Sequence, residues 1–134
     1  MSNQKVDVKD LSSAIMDYLT VYIEDIHDQV VEVTEDVTKR AIAELKERSR
    51  ALFKSRSSNP YWSGWDSKIQ VKGKLKYHRV IWNKTNYQLT HLLEFSHSTR
   101  YGGTYAGRPH IQPVEEKYKV EFVDLVEQKI RRTK

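Results

Sequence analysis

The sequence predicts an α+β fold, in which a small antiparallel sheet packs against a long N-terminal helix, or two helices, and a C-terminal helix. Two long segments place apolar residues every three or four positions, as one face of a helix does. Between them, a shorter segment places apolar residues at every second position, the pattern of a strand with one buried face. The 134 residues suffice for one modest core, so we expect a single domain over 1–134.

The N-terminal helical region is predicted over about 10–54. Its apolar stripe comprises Ile15, Leu19, Tyr22, Ile26, Val30, Val33, Val37, Ala41 and Leu45. One straight helix would measure about 65 Å, more than the width of such a domain, so we expect a bend or two helices near the β-branched cluster at 30–34. No strict seven-residue repeat persists, which favours core packing over a coiled coil.

A β-hairpin is predicted from Trp65 to Trp82, within a sheet of about 65–83, with Gly73 near its turn. The polar positions of this segment include a row of lysines. They are Lys68, Lys72, Lys74 and Lys76. On one strand face, such a row would suit non-specific contact with DNA phosphates, but lysines equally protect a sheet from edge-to-edge aggregation. Both interpretations stay open.

A short helix at about 87–95, a loop over 96–112 and a C-terminal helix over about 113–131 follow. Asn86 stands where an N-cap is expected, and Pro113 suits the first turn of the last helix. Glycines and hydroxyl residues dominate the segment from Ser96 to Arg108, which predicts a long flexible loop without regular structure. Loops of this length in small domains are usually functional or mobile.

Composition limits the classes of function. The chain is 31% charged, has no cysteine and has no apolar run of membrane-spanning length or signal-peptide core, so we expect synthesis in a cytoplasm and no membrane association. The net charge of +5 is unevenly distributed. Asp and Glu dominate residues 7–47, whereas the only acidic residues from Leu52 to Arg108 are Asp66 and Glu94, so this middle segment is basic. A basic segment can face nucleic acid, an acidic protein or solvent.

Three histidines and one carboxylate, His91, Glu94, His97 and His110, invite a metal interpretation. Their spacing matches no established ligand motif. We therefore expect no metal or cofactor, with His91 capping or packing the short helix, His97 in the loop and His110 anchoring the turn before Pro113. No catalytic motif is present either, so we do not expect an enzyme.

The segment from Tyr87 through HLLEFSHSTRYGG to RPHIQPVEE, preceded by Tyr61, Gly64, Trp65 and VIWNK, carries a family resemblance. Over about Tyr61 to Glu116 it resembles the small tail-completion, or head-to-tail joining, proteins of long non-contractile-tailed bacteriophages (siphophage type). The first fifty residues match that family only in being charged, amphipathic and helical.

The resemblance implies a structural virion protein, assembled in the host cytoplasm and located at the head–tail junction. It implies a connector ring, hexameric in the virion, that contacts head-closure or connector proteins, tail tube proteins and further copies of itself. We expect a monomer in solution, because the apolar stripes are all needed for the core. The composition of the loop indicates its partner-binding residues. They are Arg100, Tyr101, Gly102, Gly103, Tyr105 and Arg108.

Two functions from other classes remain as alternatives to virion assembly. The lysine row would suit a nucleic-acid-binding module, and steep salt dependence of DNA binding would favour it. The histidines would suit a metal-dependent hydrolase, which stoichiometric zinc with hydrolytic activity would favour.

Overall fold

One long helix organises the fold, and the β-hairpin and the C-terminal helix pair with it from Glu24 onward. The computed structural model describes residues 8–132, with side chains from residue 12 onward. In chain order the elements are α1 (Val8–Leu52), a 3-10 turn (Tyr61–Gly64), β1 (Trp65–Lys72), β2 (Tyr77–Asn83), a second 3-10 turn (Tyr87–Leu89), α2 (Thr90–Glu94), β3 (His97–Ser98), β4 (Thr104–Tyr105) and α3 (Ile111–Arg132). This confirms the predicted α+β class. Within residues 8–132, no helix combines the length and the apolar character that a membrane span needs.

The helix α1 is unbroken over 45 residues, a length of about 68 Å. The predicted alternative of two helices that meet near residues 30–34 is therefore wrong. Both α3 and the β1–β2 hairpin contact α1 at this point, where Lys129 pairs with Glu32 at 3.6 Å and Arg79 pairs with Glu35. Val33 is also buried here. Packing on two sides thus outweighs the modest helix propensity of β-branched residues.

The C-terminal helix α3 runs antiparallel to α1. Besides the pair at Glu32, Lys117 contacts Glu44 at 2.9 Å and Arg40 pairs with Glu121. The helix begins at Ile111, two residues before the predicted start, which leaves Pro113 in its first turn as expected.

The β1–β2 hairpin also lies along α1. At its base the indole nitrogen of Trp65 donates to the Ser49 hydroxyl at 2.9 Å, and near its turn Lys74 pairs with Glu24 at 3.5 Å. Between these contacts, Tyr77 and Arg79 donate to Glu35, and these bonds lower the pKa of that carboxyl, Arg79 having the larger effect. The hairpin is confirmed, including its turn at Gly73, whose N–H donates to Lys76 at 2.8 Å.

The core lies near the C-terminal end of α1 and comprises Ala41, Leu45, Tyr61, Trp65 and Val114. The apolar stripe of α1 therefore has two parts. Its second half is buried from Val33 onward, whereas Ile15 and Leu19 in the first half are 50% and 42% exposed. The premise that every apolar stripe is needed for the core is wrong.

Candidate partner-binding site

The segment after α2 forms a small hairpin, which we call the tip hairpin (residues 96–107). Strands β3 and β4 pair antiparallel, and Thr99 N donates to Gly103 O at 2.8 Å to close the turn. Gly102 has a φ of 83°, a conformation that glycine adopts without a steric cost. The predicted absence of regular structure in this loop is wrong, because Gly102 allows a turn tight enough for the flanking residues to pair.

Four of the six predicted partner-binding residues lie at the end of the tip hairpin. Arg100 and Tyr101 are exposed there, Tyr101 to 92%, and Gly102 and Gly103 complete the turn. Tyr105 lies in β4, farther from the turn; it is half-buried, and its ring centroid is 5.2 Å from that of His97. The tip thus presents one aromatic ring and one guanidinium with open space around Gly102.

The sixth residue, Arg108, lies at the base of the tip hairpin and holds it to the body. Its backbone N–H donates to Leu93 O at 2.8 Å, and its guanidinium donates to Leu52 O at 3.0 Å. Leu52 ends α1, where a cation is favourable beside the negative end of the helix dipole. Arg108 therefore contributes to anchoring, away from the tip.

A second anchor is the close contact of Gly107 with the end of α2. Its N–H donates to the Ser96 hydroxyl at 3.1 Å. A Cβ at position 107 would lie 2.5 Å from the carbonyl carbon of Phe95 and 2.6 Å from Glu94 O. Only glycine fits here, so the two ends of the hairpin are fixed against each other.

The carboxylate of Glu94 caps the N-terminus of α3. It accepts hydrogen bonds from the backbone N–H groups of His110 (2.8 Å), Ile111 (2.8 Å) and Gln112 (2.9 Å). Burial of Glu94 disfavours its charged form, but these three donors outweigh that effect and hold its pKa below the usual value. One side chain thus satisfies amides that a helix start otherwise leaves unpaired.

The imidazole of His110 is fully buried beside this cap. It contacts the Tyr61 hydroxyl at 2.7 Å, Arg108 O at 2.9 Å and the Glu94 carboxylate at 3.0 Å. Burial, together with the nearby charge of Glu94, raises the pKa of Tyr61. His110 anchors the turn before Pro113, as the sequence predicted.

The remaining metal candidates do not join this cluster. His91, which we expected to cap or pack the short helix, is exposed on α2, and His97 lies in β3. Asn86 occupies the predicted N-cap position, but its side-chain amide donates to Asn59 O and Thr85 Oγ1 instead of capping. Among the residues with described side chains, no three His, Asp or Glu groups converge as a metal site requires. The absence of a metal in the functional state stays a prediction.

A groove of about 550 Å³ lies beside the cap, between α2 and the start of α3. Its lining includes His91, Glu94, Glu115, Glu116 and Lys119. The Glu94 oxygens are already occupied by the three α3 amides, so this carboxylate is committed to structure.

The lysine row does not share one face of the β1–β2 hairpin. An irregularity between Ile69 and Val71 shifts the pairing, so Lys68 stands opposite Val80 and Lys72 opposite Tyr77. Val80 and Tyr77 are three positions apart on one strand and face opposite sides, and so do the lysines paired with them. Lys68 covers the Trp82 ring at 4.5 Å, and Lys74 pairs with Glu24.

DNA contact by Lys68, Lys72, Lys74 and Lys76 stays a prediction without a common surface to support it.

Comparison of the chain with protein-family models, with curated proteins and with solved structures gives no match. The residues and their geometry are therefore the basis for a functional proposal.

Proposed function

We propose that the protein is a structural component of a bacteriophage virion, which completes a tail and joins it to the head. The observation that carries this proposal is the tip hairpin, which presents exposed Arg100 and Tyr101 from an anchored base. The family resemblance over Tyr61 to Glu116 suggests the partners. These are head-closure or connector proteins, tail tube proteins and further copies in a hexameric ring at the head–tail junction.

The tip hairpin has the features of a docking element. A tyrosine that is 92% exposed contributes little to the core, yet tyrosine and arginine are among the side chains most enriched at interface hot spots. Arg100 can pair with a carboxylate through two parallel hydrogen bonds, while Tyr101 offers a ring with few rotatable bonds to bury.

The base of the hairpin supports the same function. Four anchors fix it to three helices: the Arg108 bonds to Leu93 and Leu52, the Gly107 contact, and the Glu94 cap on α3. A two-residue ladder is marginal by itself, so the tip is free to adjust to a partner while its position on the body stays defined.

The buried polar groups beneath the hairpin support assembly rather than catalysis. Glu94 is used by backbone amides, and His110 is enclosed by aromatic rings, with ring centroids of Phe53 and Tyr61 at 4.9 Å and 5.5 Å. These groups stabilise the junction of α2, the tip hairpin and α3.

The test replaces Arg100 and Tyr101 together with alanine. Because both side chains are exposed, the melting temperature should change by no more than about 2 °C, as expected for surface substitutions. If each side chain is a hot spot of about 2 kcal/mol, affinity for the docking partner should fall by about 1,000-fold. Purified tails and filled heads made without the protein should then join on adding wild type, but not on adding the variant.

A double substitution of the same residue types elsewhere is the matched control. Arg56→Ala with Tyr87→Ala also removes one exposed arginine and one exposed tyrosine, and should join heads and tails normally. Normal joining by the Arg100/Tyr101 variant, counted by electron microscopy, would refute the docking role.

A further inference from the structure

The first part of α1 extends beyond the rest of the protein; we call residues 12–23 the arm. Of the described ion pairs that other elements make with α1, the one nearest to the arm joins Lys74 and Glu24 at 3.5 Å, and the nearest from α3 joins Lys129 and Glu32 at 3.6 Å. Every side chain from residue 12 to 21 is exposed. The arm nevertheless carries large apolar residues with these exposures: Ile15 50%, Met16 62%, Tyr18 71%, Leu19 42%, Val21 66% and Ile23 45%.

The body contains an open apolar groove of about 460 Å³. Its floor is α1, and its walls are the β1–β2 hairpin and α3. Lining residues include Val37, Ala41, Leu45, Ile81, Val114 and Tyr118. A groove of this character is the kind of site that accepts the apolar face of a helix.

The arm cannot fill the groove of its own chain. Both belong to the same unbroken helix, and Leu19 is about 33 Å along the axis from Ala41 on the groove floor. Since α1 is continuous, the arm points away from its own groove. An arm and a groove can therefore meet only between two molecules.

The distribution of charge limits what the arm can bind. Residues 12–36 contain seven Asp and Glu residues and no Lys or Arg, whereas all 23 Lys and Arg residues lie elsewhere in the chain. One of these acids, Asp17, lies in the arm and the other six follow it on α1, so two copies that paired along this part of α1 would repel each other, and so would this part of α1 and nucleic acid. Residues 37–134 of a second copy, with 21 Lys and Arg against nine Asp and Glu, attract this acidic part of α1, while the groove lining itself has one base, Lys119, and one acid, Glu115.

We propose that the arm of one copy docks in the groove of a second copy. The contact is head-to-tail, so the second copy's own arm stays available for a third, and repetition gives a closed ring or an open filament. This assigns the contact between copies, which the proposed function leaves open. It rests on the fold and charge of this chain, whether or not the tip hairpin docks on a virion.

The expected contact is weak, because one short helix covers a small area. A dissociation constant of about 0.1–1 mM corresponds to roughly 4 to 5.5 kcal/mol. The protein is then monomeric at micromolar concentration, as expected from the sequence, though for a different reason. A template that holds copies side by side supplies effective concentrations of about 1 mM and completes the assembly.

Sedimentation of the full chain from about 10 µM to 1 mM tests this contact. Wild type should associate over this range, and Leu19→Asp should weaken association at least tenfold, since it places a charge in the apolar interface. Val120→Asp is the control: Val120 is 64% exposed on α3 outside the groove lining, so association should stay as in wild type. A wild type that stays monomeric at 1 mM, or equal loss in both variants, would overturn the proposal.

Cross-linking locates the two surfaces. The chain has no cysteine, so single cysteines at Leu19 and at Lys119 can be joined selectively in a mixture of the two variants. Leu19→Cys should cross-link to Lys119→Cys and not to Ser57→Cys, which is exposed beyond the other end of α1. Predominant linkage between two Leu19→Cys copies would show arm-to-arm pairing and refute the groove as the docking site.

Discussion

Replacing Glu94 with glutamine should destabilise the protein strongly although the side chain keeps its shape. The side chain is 3% exposed, and its oxygens accept from three α3 amides at 2.8–2.9 Å. Glutamine turns one oxygen into a donor. In wild type the N–H groups of His110 and Ile111 share Oε1, and the Gln112 N–H bonds to Oε2. If the single oxygen of the glutamine takes the place of Oε1, the Gln112 N–H faces the NH₂ group and loses its acceptor.

The expected magnitude follows from two losses. An unsatisfied buried donor costs about 1–3 kcal/mol, and removing a negative charge from the start of a helix costs up to about 2 kcal/mol in a partly buried site. Together they predict a loss of about 2–4 kcal/mol in the free energy of unfolding. For a chain of this length the melting temperature should fall by about 6–15 °C.

The pH dependence gives a separate readout of the same cap. The pKa of Glu94 is lower in the folded protein than in the unfolded chain, so its contribution is full above about pH 4.3 and is lost as pH falls through the folded-state pKa. The stability difference between wild type and Glu94→Gln should thus stay constant from pH 7 to 5 and shrink below about pH 4.

Urea unfolding at several pH values measures both effects. Glu116→Gln is the matched control, because Glu116 is an exposed carboxylate near the same helix start, bonded only to the Gln112 side chain at 3.0 Å. It should change stability by less than about 0.5 kcal/mol. A Glu94→Gln variant within that limit of wild type, or a difference that does not shrink at low pH, would refute the assignment of Glu94 as the cap of α3.

Three further predictions concern packing, hydrogen bonding and metals. Gly107→Ala should lower the free energy of unfolding by about 1–3 kcal/mol, because the new Cβ would lie 2.5 Å from backbone. Gly103→Ala is the control and should destabilise less, since its Cβ meets only the movable Thr99 hydroxyl at 3.1 Å. Thermal unfolding of both variants compares them. Ser49→Ala should lower the free energy of unfolding, measured in urea, by about 1–3 kcal/mol, since the buried indole N–H of Trp65 loses its acceptor. An unchanged free energy of unfolding would contradict this. A chelator should leave the melting temperature unchanged, and a large drop reversed by zinc would show that the histidines hold a metal.

The sequence predicted the elements that local pattern specifies. The β1–β2 hairpin follows from alternation around Trp65 and from the turn at Gly73, and the start of α3 follows from Pro113. The predicted alternative of two helices that meet near residues 30–34 failed because helix propensity was weighed without the two partners, α3 and the β1–β2 hairpin, that pack there. The prediction that the lysines share one face failed because an irregularity near Gln70 reverses the alternation of side chains between the two faces of β1, and composition does not reveal such an irregularity.

The candidate site was predictable at its tip and hidden at its base. Exposed Arg100 and Tyr101 follow from a polar, glycine-rich loop. The role of Glu94 depends on amides 16–18 positions away, so no short-range pattern indicates a cap. Likewise, helical periodicity identifies an apolar face on α1 but does not say whether the same chain covers it, which is why the exposure of Ile15 and Leu19 was missed.

The continuity of α1 fixes the direction in which the arm faces relative to the core. Each residue turns a helix by about 100° and advances it by about 1.5 Å, so the number of residues between the arm and the core sets the phase of one against the other. One residue inserted between Asp25 and Val30 would turn the arm's apolar side to another direction while leaving every core contact in place. If copies join through the arm, the length of this helix therefore sets the angle between neighbours, and with it whether a chain of copies closes or continues.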